Sequence, residues 1–528
     1  MTHPSNTGTG GPPAADTSLP APSELQLLSA IRFNLEQKIA PELSSAMAQQ
    51  ICRMTQQVLG HLILMRCEWP GILQRQVHKL TDALRAVVGV LSEHGKTLAD
   101  RALLEDASRL LSMPAGIPER HLLEQRNRAL NGVLERALTE LFSLTSAAAP
   151  ARMAGINHVI REVIDACAIT EHDYKRAEQD SIEAYAARAA NHAVITAERL
   201  QSYLRGKFTD RPGLQVTSLR ELPGGFGKMT FLFDVVGLES APCSLVLRRD
   251  RPNGATETTV ADEFPLLRAM HRHGLPVAEP LWLEPGPALD YPFIVVRRLE
   301  GRPAGDLWKA DPNVCSAETA RDLASVLARL HSLDPGAMSL GPRLRPAGAA
   351  ESVAAMLAEV RELWMRKRLE PDAALQASLC WLEHNIPPPT PRAHLVHSDV
   401  GFHNLLIANE KVSGLLDWEL AHLGDPVEDL SYVRPYIEQL LPWKEFLAAY
   451  RNAGGSGYSE DRARYFSVWR GVRNTVYTLL CHHAFCTDAN LDLRFAHAGV
   501  YYPRLILLEA AQKVAELGAR HGDEHDRG

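Results

Sequence analysis

The chain has no apolar run approaching the roughly 18 residues that a membrane span needs, so no spanning segment is expected. It has no excess of positive charge. Its 56 Lys and Arg stand against 63 Asp and Glu, a formal net charge of -7, which leaves none of the basic footprint required to grip a phosphate backbone. A nucleic-acid partner is therefore not expected. Cysteine is sparse: eight in 528 residues, scattered, without the spacing of a disulfide framework, so a reducing, cytoplasmic setting is expected. The one local concentration, Cys481-His482-His483 with Cys486, lacks the second ligand cluster that a four-ligand zinc site needs, and is read as part of a helix. The opening residues have neither a basic nor an apolar segment of the kind found in a signal peptide. Their Pro, Gly, Ser and Thr predict a disordered tail over 1–22.

What is present divides the chain. A length of 528 residues exceeds the roughly 250–300 at which a single core stops growing, which predicts two or more domains. From 23 to 203 the apolar residues recur at helical steps: Leu25, Leu28, Ile31, Leu35 and Ile39, an interruption at Pro41, then Leu43, Met47, Ile51, Met54, Val58 and Leu62. This predicts packed helices without a fixed repeat and without a chemical motif. After Tyr203 the pattern changes to short strands, "LQVTSLREL", "MTFLFDVVGL" and "CSLVLRRD", around the glycine-rich turn "PGGFGK". A helix is predicted from about Thr258 to His273, although Pro265 is an awkward residue for its interior, and "FIVVRRLEG" reads as a buried strand. From Ala317 onward helices dominate again.

One segment carries chemistry. "VHSDVGFHNLL" follows the spacing H-x-D-x-x-x-x-N, with Asp399 and Asn404 five positions apart, and "SGLLDWEL" delivers a second carboxylate, Asp417, at the end of an apolar strand. In phosphoryl transfer, such an aspartate orients or deprotonates the attacking hydroxyl, while the asparagine and the second aspartate offer oxygens to Mg²⁺. Few carboxylates suit a cation that shares its shell with phosphate oxygens and water.

"HSDVGFHNLL" followed by "GLLDWELAHLGDPVEDL" resembles the aminoglycoside phosphotransferase and choline kinase group, small-molecule kinases with a protein-kinase-like fold. The resemblance covers about Leu204 to the end. It implies a small β-rich lobe over 204–301 and a helical lobe over 302–528 that holds the catalytic loop and acceptor site; with the all-α domain read from the apolar spacing before it, an α+β chain is expected. It implies ATP or another nucleoside triphosphate, and Mg²⁺. Gly224, Gly225 and Gly227 fall where a hairpin covers the phosphates, and Arg248 falls where relatives use a lysine, with Glu263 as its helix partner. Arginine keeps the charge but not the reach or geometry of lysine. Lys228 is either a second positive group at the phosphates or a surface residue. The backbone from Val296 to Arg298 would hold the base. Trp418 and Glu419 after Asp417 depart from the Phe-Gly of regulatory kinases, which favours a constitutive metabolic enzyme, and Asp425 and Asp429 are read as acids that hold the loop.

The acceptor is a small molecule on this reading, and helices after Pro426 should bind it. Tyr465, Trp469, Arg470, Arg473 and Tyr477 mix aromatic and basic groups there, which favours an acceptor with apolar and anionic parts over a polycation. "LVLRRD", "GLLDWELAHLGDP" and "ARLHSLDP" are most similar to the phosphotransferases found with acyl-CoA dehydrogenases, which implies a hydroxyacyl-CoA acceptor. The alternatives are an aminoglycoside or macrolide kinase, and a non-catalytic nucleotide-binding scaffold. The leading helices would serve as a dimerisation module, a lid, or a docking surface for a pathway partner.

Overall fold

The computed structural model describes residues 35, 39–40, 43–67, 69–94, 98–113, 120–145, 150–179, 195–222, 225–251, 256, 258–344, 349–369, 371–486 and 493–525. The expected tail over 1–22, the stripe residues Leu25, Leu28 and Ile31, and Gly224 lie outside them.

Five helices come first: α1 (Ala46–Cys67), α2 (Trp69–His94), α3 (Leu98–Leu111), α4 (Arg120–Thr145) and α5 (Pro150–Gln179). Their apolar stripes meet: Leu80 and Leu84 of α2, Leu130, Leu134, Leu138 and Leu141 of α4, and Val163 of α5 are fully buried. On α1 the expected stripe is only partly covered, since Leu62 is 46% exposed while Met54 is buried against Leu59.

A short helix, α6 (Ala197–Lys207), then leads into strands β1 (Gln215–Leu222), β2 (Lys228–Val236), β3 (Cys243–Asp250), β4 (Pro280–Glu284) and β5 (Phe293–Arg297), with α7 (Val260–Arg272) between β3 and β4. The antiparallel sheet has the order β1-β2-β3-β5-β4. Because side chains alternate along a strand, each strand divides its residues between two faces. Phe231, Phe233, Leu245, Leu247, Phe293 and Val295 form one face and are covered by Leu200 and Leu204 of α6. Lys228, Arg248 and Asp250 share the other face, because Lys228 pairs with Asp250 and Thr230 with Arg248.

Helix α7 runs straight through Pro265. Proline costs a helix interior about 3 kcal/mol. A complete capping box, in which Thr259 and Asp262 satisfy each other's backbone donors, and burial of Val260, Leu266 and Met270 offset that cost.

The remainder comprises β6 (Arg302–Pro303), α8 (Ala317–Ser332), α9 (Ala349–Lys367), α10 (Ala373–His384), β7 (His394–Val396), β8 (Leu405–Ala408), β9 (Lys411–Leu415), β10 (His422–Gly424), α11 (Pro426–Ile437), α12 (Trp443–Asn452), α13 (Glu460–Cys486) and α14 (Leu493–His525). β7 pairs with β10, and β8 pairs with both β6 and β9, so two small sheets flank the segments that carry Asp399 and Asp417. The architecture is a two-lobed, kinase-like fold preceded by helices.

The leading helices do not stand apart. One continuous apolar core runs through α2, α4 and α5 into α9, α10, α13 and α14. The N-terminal helices thus complete the helical lobe from outside. Among the described residues, no helix is long and apolar enough to cross a membrane. Cys481 is buried against Phe495 and Ala498, and no group of His, Cys, Asp or Glu among the described residues is arranged to hold a metal in the manner of a zinc site.

Candidate active site

The loop that carries Asp399 is held by buried charges. After β7, Ser398 adopts a left-handed backbone with φ of 70°, a conformation that costs a non-glycine residue about 1–2 kcal/mol. Asp429 stabilises it by accepting the backbone N–H of His397 at 2.9 Å and that of Ser398 at 2.6 Å, while His331 Nε2 approaches the same carboxylate at 3.0 Å. Arg473 adds to the hold: its guanidinium donates to the Ser398 carbonyl at 2.5 Å and to Glu428 at 2.9 Å, and also bonds the Ser398 hydroxyl. A strained turn fixed on all sides is the usual setting of a functional residue.

His397 is buried, with Nε2 2.8 Å from the carbonyl of Leu416. That contact links the loop to the residue before Asp417, so His397 is a strut. Asp425 caps α11 by accepting the N–H of Val427 at 2.9 Å, and it pairs with Arg462.

Asp399 and Asn404 are brought together. A short 3-10 turn, Phe402–Asn404, folds Asn404 back so that its side-chain NH₂ donates to the Asp399 carboxylate at 2.7 Å and to its carbonyl at 3.0 Å. The amide oxygen is the end left for a cation. Burial by itself would raise the Asp399 carboxyl, but His403, 3.7 Å away, holds it well below the usual range. The carboxylate stays charged at any physiological pH.

The sheet face described above meets this loop across the cleft. Arg248 Nη2 bridges Glu263 at 3.1 Å and Asp417 at 2.8 Å, joining the small lobe to the segment that follows β9. Lys228 is no surface residue: it is 4% exposed, donates to the Thr258 carbonyl at 2.5 Å and Glu419 at 3.2 Å, and lies 3.6 Å from Glu263 and 3.9 Å from Asp250. At Gly227 a Cβ would lie 2.3 Å from Glu419 Oε2, so a side chain there would displace that carboxylate. Gly225 adopts φ of 68°, open to glycine and strained for other residues. Val296 is buried inside β5, and the Arg298 backbone N–H is already given to the Ser244 carbonyl at 3.0 Å while its side chain pairs with Asp234 at 2.8 Å.

Sequence reasoning did not assign Glu419, Asp250 or Glu428 a place in the site. Glu419 stood two positions after Asp417, but only the folded chain shows that Lys228 reaches it. Two cations, Lys228 and Arg248, face four carboxylates here, Asp250, Glu263, Asp417 and Glu419. Burial and then the neighbouring Asp417 push the Glu419 carboxyl up to about 7. An acid with a raised folded-state pKa binds more protons folded than unfolded between its ordinary value and the raised one, so its contribution to stability falls as pH rises through that window. Glu419→Gln is therefore expected to flatten the loss of stability between about pH 4.5 and 7 by on the order of 1–3 kcal/mol relative to the parent. Denaturant melts across that range measure it, and parallel curves would refute it.

The donors near the loop fit a hard cation. Asp417 offers a carboxylate and Asn404 an amide oxygen, the types Mg²⁺ accepts, and too few to bind it without phosphate and water oxygens.

Residues 218–466 match the model of the phosphotransferase enzyme family. The chain carries a phosphotransferase-family domain. That domain holds the whole cluster from Lys228 to Asp429. Among curated relatives, mouse acyl-CoA dehydrogenase family member 11 is 28% identical over 243 residues, 44% of this chain and 30% of that protein. Mouse acyl-CoA dehydrogenase family member 10 is 28% identical over 200 residues, covering 36% and 18% respectively. The chain thus spans about a third or less of the length of these two relatives. A solved structure of a macrolide 2'-phosphotransferase from Brachybacterium faecium has a TM-score of 0.42 and 22% identity, covering 58% of this chain and 98% of that one.

Proposed function

We propose that the phosphotransferase domain moves the γ-phosphate of ATP to a hydroxyl of a small metabolite, with a hydroxyacyl thioester such as a hydroxyacyl-CoA as the acceptor. The observation that carries this reading is the pairing of Asp399 with Asn404 on a loop pinned by Asp429 and Arg473. Asp399 is the charged group that would orient the acceptor hydroxyl and draw off its proton. Lys228 and Arg248 are the cations positioned to meet the triphosphate under the glycine hairpin, where Gly225 and Gly227 let the backbone approach closely. Asn404 and Asp417 would hold Mg²⁺, which when bound neutralises charge on the phosphates. The bonding balance is simple: the acceptor oxygen bonds to the γ-phosphorus as the bond to the bridging oxygen breaks, ADP leaves, and the hydroxyl proton passes to Asp399 or water.

The thioester acceptor is supported by the similarity to two proteins named as acyl-CoA dehydrogenase family members. The test is acceptor-dependent ADP release by the purified chain with Mg²⁺, across hydroxyacyl-CoAs, aminoglycosides, macrolides and amino alcohols. Turnover with hydroxyacyl-CoAs alone is expected. Turnover confined to the antibiotics would replace the acceptor class, and nucleotide binding without turnover on any alcohol would favour the scaffold reading.

A further inference from the structure

The tip of the glycine hairpin reaches from the small lobe to α14. Phe226, between Gly225 and Gly227, lies edge-on to Phe495 of α14, with ring centroids 5.8 Å apart and planes at 75°. It packs on the cluster that Cys481 of α13 forms with Phe495 and Ala498 of α14, and Tyr502 packs on the same cluster. We propose that this contact holds the hairpin in place over the nucleotide phosphates, which makes Phe226 a positioning residue and α14 its support; the proposal rests on the kinase reading above.

Three observations carry it. The first is that the contact is built into the fold on both sides. Phe495 is 1% exposed and Ala498 is fully buried, and a second group from the small lobe, the guanidinium of Arg251 just after β3, lies 6.0 Å from the centre of the Phe495 ring. Edge-to-face rings and a cation near an aromatic ring are both favourable beyond the area they bury.

The second is the hairpin itself. Of residues 225–227 only Phe226 has a side chain, and Gly225 adopts φ of 68°, so the tip has a permissive backbone and one apolar anchor. Two positions on, Lys228 is tied to Glu419 at 3.2 Å. The hairpin is thus attached to the helical lobe at two points, Glu419 and α14, and the second of them falls on the residue between the glycines.

The third is the rigidity of the support. A Cβ at Gly499 of α14 would lie 2.5 Å from His482 Cα, and one at Gly471 of α13 would lie 2.6 Å from Ala510 Cβ, so the two helices are locked close together at two levels. Further along α14, Leu507 and Val514 enter the core shared with α2, α4 and α5. Phe495 lies outside residues 218–466, the segment that matches the family. Through α14 the leading helices therefore bear on the nucleotide site, although they contribute no residue to it.

The experiment titrates the full chain with a fluorescent ATP analogue and Mg²⁺. Ordering a loose loop costs binding free energy, so Phe226→Ala is expected to weaken nucleotide binding about 5- to 20-fold, while Phe226→Leu, which refills the cluster, stays within about twofold of the parent. Phe495→Ala should reproduce the loss, and the double variant should be no weaker than about twofold below either single one, as two halves of one contact require. Phe226 is half-buried on a turn, so its truncation spares the core and decides the question where Phe495→Ala does not fold. Equal affinity in the parent and Phe226→Ala, or losses that simply multiply in the double variant, would overturn the proposal and leave the kinase reading standing. A parent that binds no nucleotide would overturn both.

Discussion

Asp399→Asn is expected to reduce phosphoryl transfer about 10²- to 10⁴-fold while nucleotide binding stays within about twofold. The substitution keeps the side-chain shape and an oxygen that can still accept from Asn404, so the turn over Phe402–Asn404 should persist. It removes the negative charge proposed to orient the attacking hydroxyl. The groups assigned to the triphosphate, Lys228 and Arg248, belong to the other lobe and are not bonded to Asp399. A structural role would not produce that split between turnover and binding. The variant carries a second, independent signature. His403 owes its raised pKa, against the lowering effect of burial, chiefly to the hydrogen bond and charge of Asp399, so its titration by NMR should move down in the variant. Unchanged turnover would sink the assignment. Turnover lost together with nucleotide binding would make Asp399 a structural support.

Removal of everything before residue 195 is expected to leave no stably folded protein, although the family match begins only at residue 218. The reason is the shared core. Helix α10 packs on α4 and α5, and α14 packs on α5, so Leu375, Leu379, Leu382, Leu507 and Val514 would lose their cover. Fully burying a large apolar side chain is worth about 1.5–3 kcal/mol, so baring these five costs up to about 8–15 kcal/mol. That matches the entire net stability of an ordinary domain, about 5–15 kcal/mol. The fragment 195–528 should be aggregated, or expanded with weak near-UV circular dichroism and strong dye binding. A soluble fragment with a cooperative melt and nucleotide binding would show that the leading helices are dispensable. A milder version, Leu134→Ala at a fully buried position of α4, should cost about 2–5 kcal/mol in denaturant melts.

Two features of the site were only half legible in the linear chain. Lys228 follows a glycine turn, where a lysine is most often solvated. Its burial against Glu263 and Glu419 depends on a residue 191 positions away and on the closeness that Gly227 allows. Likewise, the mixture of Trp469, Arg473 and Tyr477 suggested an acceptor surface. In the fold Trp469 and Arg473 have their polar atoms turned to Glu428 and Ser398, so they brace the loop that carries Asp399. Arg470 and Tyr465 do not join them: Arg470 bonds the Tyr432 carbonyl at 3.3 Å and Glu509 at 3.2 Å, and Tyr465 is buried.

By itself the sequence determined what is local. The spacing of Asp399 and Asn404 can be read because the short loop and 3-10 turn between them fix their approach, and the strands of the small lobe can be read because alternation has a period of two. The apolar stripes between residues 23 and 203 announced helices for the same reason. Only the tertiary structure decided which surfaces those stripes seek, since an apolar stripe carries no address. Besides α2, the partners of α4 and α5 are α10 and α14, far downstream in the chain, and hydrophobic burial, being non-directional, leaves that choice to the packing of the whole chain.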